Sequence, residues 1–131
     1  MNNNRIPTIV IVDNSPAIRR LFEKSTKNLG IALNFFASAE DAWPYLESNK
    51  PDLLILSIIL PNKDGLSLLQ DLRKLPLHKD TSVIMLSSKD YAQDKLAACE
   101  LGALDFIPKP IPMQTINDFV IKYTQAKPES E

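Results

Sequence analysis

Five polar residues stand out for the chemistry they could do together: Asp13, Asn14, Ser57, Ser87 and Lys109. Each ends or closely follows a short apolar segment. Asp13 and Asn14 follow Thr8-Ile9-Val10-Ile11-Val12. Ser57 ends Leu53-Leu54-Ile55-Leu56-Ser57, and Ser87 ends Val83-Ile84-Met85-Leu86-Ser87. Lys109 follows Leu104-Asp105-Phe106-Ile107-Pro108. A carboxylate, an amide, two hydroxyls and an amine could form a binding pocket if the fold gathered them. As a nucleophile, a serine hydroxyl needs a base or a metal to activate it. The only histidine, His78, lies in the Leu75–Thr81 loop, where a solvent-facing position is expected.

The segments that must position these residues alternate between strand and helix patterns. Thr8–Val12 is β-branched and apolar, which suits a buried strand. Asn14-Ser15-Pro16 supplies cap residues and a proline near the first helical position. Ile18, Leu21, Phe22 and Leu29 follow at helical spacing, with Gly30 as the expected stop. Ile31–Phe36 reads as a second strand. Ser38, with Asp41 three residues on, opens a short helix reaching about Leu46. Pro44 falls inside that helix, so a kink or an irregular first turn around Asp41–Trp43 is expected.

Leu53–Leu56 is apolar on both faces, as in a central parallel strand. A helix over Asp64–Leu75 turns Leu66, Leu69 and Leu72 inward. Val83–Leu86 is a fourth strand, Tyr91–Leu101 a helix closed by Gly102, and Leu104–Ile107 a short fifth strand. Met113–Tyr123 is the last helix, with Ile116, Phe119, Val120 and Tyr123 inward. Five strands alternating with five helices predict an α/β, flavodoxin-like, doubly wound parallel sheet in the order 2-1-3-4-5. In such a sheet the strand ends carrying the five polar residues surround one crevice at the carboxyl edge.

Length and composition narrow the function classes. With 131 residues, one domain is expected, over 1–125, followed by a disordered tail or linker over 126–131. Fifteen basic against sixteen acidic residues give a net charge of −1, which offers no support for binding nucleic acid or a membrane surface. No apolar stretch reaches the ~18 residues a membrane span needs. A single cysteine, Cys99, excludes an internal disulfide and fits a cytoplasmic location. Its Ala-Ala-Cys setting suits core packing. The only glycines are Gly30, Gly65 and Gly102, so no glycine-rich phosphate loop follows any strand.

Four segments resemble, in order and spacing, the motifs of two-component receiver domains, and together they cover about residues 7 to 125. Val12-Asp13-Asn14-Ser15-Pro16-Ala17-Ile18-Arg19 resembles V-D-D-x-P-x-x-R. Pro51–Gly65 is similar to P-D-L-I-L-L-D-x-x-L-P-x-x-D-G. Val83–Ser88 resembles V-I-M-L-T/S-A, and Gly102–Pro110 resembles G-A-x-D-Y/F-L-x-K-P. The resemblance implies that Asp13 and Asn14 match the acidic pair and Ser57 the aspartate that accepts phosphate. Ser87 then matches the switch hydroxyl, Phe106 the switch aromatic and Lys109 the pocket lysine. The resemblance also matches Lys109–Pro110 to a peptide bond that is often cis in the family, a form only X–Pro bonds adopt cheaply.

Two matches fail, and both are carboxylates. Receivers hold Mg²⁺ with carboxylates because that hard cation needs anionic oxygen ligands. Asn14 and Ser57 are neutral, so Mg²⁺ binding is expected to be lost, leaving no cofactor. The expected reading is a degenerate, non-enzymatic receiver that signals by protein–protein contact. The family's fourth-helix, fifth-strand and fifth-helix face would serve a partner or a second copy. Here that face includes Tyr91, Lys95, Asp105, Asp118 and Lys122. Lys109 is expected to reach Asp13 or Ser57, with the Asn14 amide joining them, and Phe106 is expected inward. Trp43 and Tyr45 either cover apolar surface or form a contact patch. The alternatives are a receiver phosphorylated on Ser57 by a serine kinase and a flavodoxin-like protein binding a nucleotide or flavin.

Overall fold

The computed structural model describes residues 6–88 and 92–127. Five strands, β1 (Thr8–Val12), β2 (Ala32–Phe36), β3 (Leu53–Ser57), β4 (Val83–Ser87) and β5 (Asp105–Pro108), form one parallel sheet in the order β2-β1-β3-β4-β5. The helices between and after them are α1 (Pro16–Ser25), α2 (Ala39–Ser48), α3 (Gly65–Arg73), α4 (Ala92–Glu100) and α5 (Met113–Thr124). A 3-10 turn, Pro76–His78, precedes β4. This is the doubly wound, flavodoxin-like arrangement expected from the sequence. Among the described residues, no helix is long and apolar enough to cross a membrane.

The strands' side chains alternate between two cores, as a pleated sheet requires. Val10, Val12, Leu54, Leu56, Val83 and Met85 face α2, α3 and α4, where Ala42, Leu46, Leu68, Leu69, Leu72 and Ala98 cover them. Ile9, Ile11, Leu53, Ile55, Ile84 and Leu86 face α1 and α5, meeting Phe22, Ile116, Phe119 and Val120. Because both faces are covered, β3 and β4 are buried at every residue, which accounts for their unbroken apolar runs. In α3 the buried leucines are Leu68, Leu69 and Leu72, and Leu66 is only half-buried.

Local chemistry sets the helix ends. Ser15 caps α1 by accepting the Ile18 N–H at 3.3 Å, with Pro16 in the first turn. The helix ends at Ser25, well before Gly30. There the Ser25 and Thr26 hydroxyls donate back to the Leu21 and Phe22 carbonyls at 2.6 and 2.7 Å. After α4, Gly102 adopts φ +83°, and the Gly102 and Ala103 N–H groups bond the Cys99 and Ala98 carbonyls, both at 2.9 Å. That pattern is a Schellman stop, which needs a left-handed residue.

Several expectations are corrected. The irregular first turn expected around Asp41–Trp43 is not found. Ser38 accepts the Asp41 N–H at 3.0 Å, and α2 runs uninterrupted from Ala39 to Ser48 around Pro44. An early cap and the buried face of Ala39, Ala42 and Leu46 hold the helix despite the missing donor. Cys99 is exposed on α4, and Ala98 is the residue packed inside. The folded unit extends past residue 125. Ala126 is buried, and the Lys127 carbonyl accepts the Gly30 N–H at 3.0 Å.

His78 departs furthest from expectation. It is fully buried. Its Nε2 lies 2.6 Å from the Leu46 carbonyl, and its Nδ1 lies 2.7 Å from the Thr81 hydroxyl. A carbonyl only accepts, so Nε2 carries a proton toward Leu46. The ring fastens the carboxyl-terminal half of α2 to the turn before β4 through the Leu46 main-chain carbonyl and the Thr81 side-chain hydroxyl.

Candidate functional site

The carboxyl edge brings together four of the five predicted pocket residues. Asp13 follows β1, where its backbone N–H still donates to the Phe36 carbonyl at 2.9 Å. Its Oδ1 accepts the Ser15 N–H at 2.8 Å, so the same carboxylate fixes the turn into α1. Its Oδ2 receives the Lys109 ammonium at 2.7 Å. The Asp13 side chain is 1% exposed and that of Lys109 is 21% exposed. Lys109 also donates to Ser57 Oγ at 3.4 Å, a weaker contact. The Ser57 hydroxyl, 2% exposed, in turn donates to the Ile59 carbonyl at 3.3 Å.

Main-chain contacts set these side chains in place. The Lys109 N–H donates to the Ser87 carbonyl at 2.7 Å, which ties the end of β5 to the end of β4. Ser87 itself is buried there. The Lys109–Pro110 peptide bond is cis. Gly65 opens α3 directly against β3. A Cβ at Gly65 would sit 2.0 Å from the Ser57 carbonyl oxygen, so no other residue fits without moving the strand end. Asp64 caps α3 by accepting the Ser67 N–H at 2.8 Å.

Asn14 does not join this network. It is exposed, and no hydrogen bond from its amide reaches Asp13, Ser57 or Lys109. Its neighbour Ser15 takes the helix cap, and Lys109 satisfies Asp13 without help. Phe106 also falls short of the full burial expected. Its ring packs against the core that holds Met85 and Ala98 but stays half-buried. It lines a cavity of about 170 Å³ with Lys95, Ala98, Cys99 and Leu104. The small α4 residues and the edge position of β5 leave that ring incompletely covered.

The donor set is a poor fit for Mg²⁺. Among the described residues of this network Asp13 is the one carboxylate, and both its oxygens are engaged, one by Lys109 and one by the Ser15 N–H. The remaining oxygens, from Asn14 and Ser57, are neutral, whereas Mg²⁺ needs anionic ligands in near-octahedral array. The Lys109 ammonium already pairs with Asp13 Oδ2 at 2.7 Å. The arrangement is a closed ion pair with a hydroxyl beside it, and no general base adjoins that hydroxyl among the described residues.

The chain belongs to the response regulator receiver domain family, whose sequence profile matches residues 9–121. It is similar to the transcriptional regulatory protein BaeR of Escherichia coli O6:H1, with 29% identity over 95% of this chain and 51% of that protein. It is also similar to the alkaline phosphatase synthesis transcriptional regulatory protein PhoP of Bacillus subtilis, with 32% identity over 83% of this chain and 45% of that protein. The chain thus spans about half the length of these curated relatives. Among solved structures, the phosphorylated cyanobacterial phytochrome response regulator RcpA superposes with a TM-score of 0.85 at 22% identity. The match covers 96% of this chain and 100% of that one. A CheY-like response regulator receiver domain protein from Methanospirillum hungatei superposes with a TM-score of 0.83 at 21% identity, over 92% of this chain and 95% of that one. At these identities the structural matches speak for the fold.

Outside this edge, three features stand out, two of which the sequence did not announce. His78 is buried. Arg73 donates to three main-chain carbonyls, those of Leu101, His78 and Gly102, at 2.7, 2.8 and 3.4 Å. Trp43 lines a large cavity between α2 and α3. For His78 and Arg73 no sequence signal existed, because their partners are carbonyls supplied by the fold. Trp43 beside Pro44 was visible as an oddity.

Proposed function

We propose that this receiver domain works without aspartyl phosphorylation, as a non-enzymatic signalling module that binds a protein partner or a second copy. The observation that carries the reading is the Asp13–Lys109 ion pair at 2.7 Å, closed over a serine. With one carboxylate and one ammonium the pocket is formally neutral, so it lacks the charge that would draw in Mg²⁺. Without an aspartate at position 57 there is no carboxylate to form an acyl phosphate. The α4–β5–α5 face offers the contact surface. Leu96, Leu104 and Ile121 are exposed there, among the charges of Lys95, Asp105, Asp118 and Lys122. Tyr91, expected on the same face, lies outside the described residues. The exposed, unpaired Cys99 suits a reducing, cytoplasmic setting.

Phosphorylation of Ser57 is disfavoured by its burial, since a kinase must reach a hydroxyl that is 2% exposed and bonded on both sides. The test is a calorimetric titration with Mg²⁺, followed by amide spectra with and without beryllofluoride, which mimics a phosphoryl group on aspartate. Neither is expected to act on the natural chain at low-millimolar concentration. Saturable Mg²⁺ binding, or a beryllofluoride-dependent shift, sinks the proposal. The double variant Asn14→Asp/Ser57→Asp is expected to recover both responses, whereas Ser57→Asp alone recovers little.

A further inference from the structure

A large concavity lies away from the Asp13–Lys109 pocket, between α2 and α3. It has a volume of about 570 Å³, within the range of roughly 300–1,000 Å³ typical of small-molecule sites. Ala39, Trp43 and Pro44 of α2 form one wall, and Leu68 and Leu75 form the other. The one residue of α2 that helix formation disfavours is therefore a wall of this cavity, and the chain's single tryptophan stands beside it. A rigid ring of proline, an indole and two leucines make a surface suited to a flat apolar ring system.

The rim is polar and unevenly committed. Lys63 and Asp71 form an ion pair with each other. The Glu40 carboxylate accepts the Asn62 amide at 3.3 Å. Lys74 is held least. It lies 4.0 Å from an Asp71 carboxylate that Lys63 already engages, and its side chain is 73% exposed. Thus Lys74, which shares the Asp71 carboxylate with Lys63 at a longer distance, is the least committed cation on the cleft rim.

We propose that this cleft binds a small planar aromatic acid, its ring against Trp43, Pro44, Leu68 and Leu75 and its anionic group toward Lys74. The proposal is independent of whether the carboxyl-edge pocket binds Mg²⁺. The sole tryptophan makes it directly testable, because the one indole N–H signal in an amide spectrum reports from the cavity wall. The intact chain is titrated with 2-naphthoate and with neutral 2-naphthamide. Both are expected to shift the Trp43 indole signal and the amides of Ala39, Glu40, Leu68 and Leu75 saturably. Naphthoate should bind about three- to five-fold tighter, the range an exposed ion pair supplies. Lys74→Gln is expected to abolish that preference while leaving naphthamide binding unchanged, and Trp43→Leu to weaken both ligands. Equal affinity for the two ligands, no saturable shift, or shifts centred on Lys95 and Phe106 would each overturn the proposal. Shifts that depend on protein concentration alone would overturn it too, since they would make a second copy the occupant.

Discussion

The two edges of the sheet carry their polar residues in opposite ways. At the carboxyl edge, Asp13, Ser57 and Lys109 meet one another, side chain to side chain, across three strands. At the amino edge, His78 and Arg73 meet main-chain carbonyls of Leu46, Leu101, His78 and Gly102. Burial pulls the Arg73 guanidinium below its ordinary range and Asp80 pulls it partly back, so its charge faces carbonyl dipoles. A side chain that satisfies main-chain groups fastens the fold, and its loss leaves buried carbonyls without donors. At the carboxyl edge the Asp13–Lys109 ion pair is a bond between two side chains, added to the main-chain contacts of Asp13 with Ser15 and of Ser57 with Ile59, and such a pair can be exchanged as a set. The difference separates an edge that fastens the main chain from one that gathers side chains at the strand ends.

The comparison makes His78→Ala the most damaging substitution. It empties a fully buried ring site and strands the Leu46 carbonyl and the Thr81 hydroxyl. A cavity plus one or two unsatisfied polar groups is expected to cost about 3 kcal/mol. For a chain of this size that lowers Tm by on the order of 10 °C. Thermal and urea unfolding followed by circular dichroism check it. A loss under about 1 kcal/mol would mean that the amino edge is not the fastening described here.

Lys109→Met should do less, and in a way that betrays a pair. Alone it leaves the buried Asp13 carboxylate without its cation, at a cost of about 2 kcal/mol, because the lysine end of the pair is partly solvated. Asp13→Asn in the same chain should restore most of that loss. The double-mutant cycle gives the coupling directly. Additive losses would show that each residue has its own main-chain role, as at the amino edge, and the contrast between the edges would collapse.

The same contrast explains what could be read from the sequence. Strand order and the two-sided core were legible because β3 and β4 write burial into continuous apolar runs. Asp13, Ser57, Ser87 and Lys109 were legible because each sits at a strand end, and topology alone then makes them neighbours. His78 was not. A polar residue in a Pro-Leu-His-Lys-Asp loop looks solvated until α2 places the Leu46 carbonyl against its ring. Cys99 and Ala98 are adjacent small residues on α4, and which of them faces the core depends on a helix rotation that two alanines and a cysteine do not specify. Pro44 was legible as a defect, but the Ser38 cap and the buried helix face outweigh it.

The smallest effect is expected at Lys63–Asp71, a side-chain pair on the cleft rim that belongs to neither edge. The Asp71 carboxyl is held below its ordinary value, first by the hydrogen bond from Lys63 and then by the charges of Lys63 and Lys74, against a desolvation effect that raises it. A depressed carboxylate pKa contributes stability above the unfolded value, near 3.8, and that contribution is lost as pH falls through the folded value. Asp71→Asn should therefore narrow the stability gap between natural chain and variant below pH ~4 and leave it constant from pH ~5 to 8. With 36% of the Asp71 side chain and 41% of Lys63 in solvent, the constant gap should not exceed about 1 kcal/mol and should shrink in high salt. Urea midpoints at several pH values, with and without added salt, measure it. A gap that widens on acidification, or that salt leaves unchanged, would mean that Asp71 acts through packing in the cleft and not through its charge.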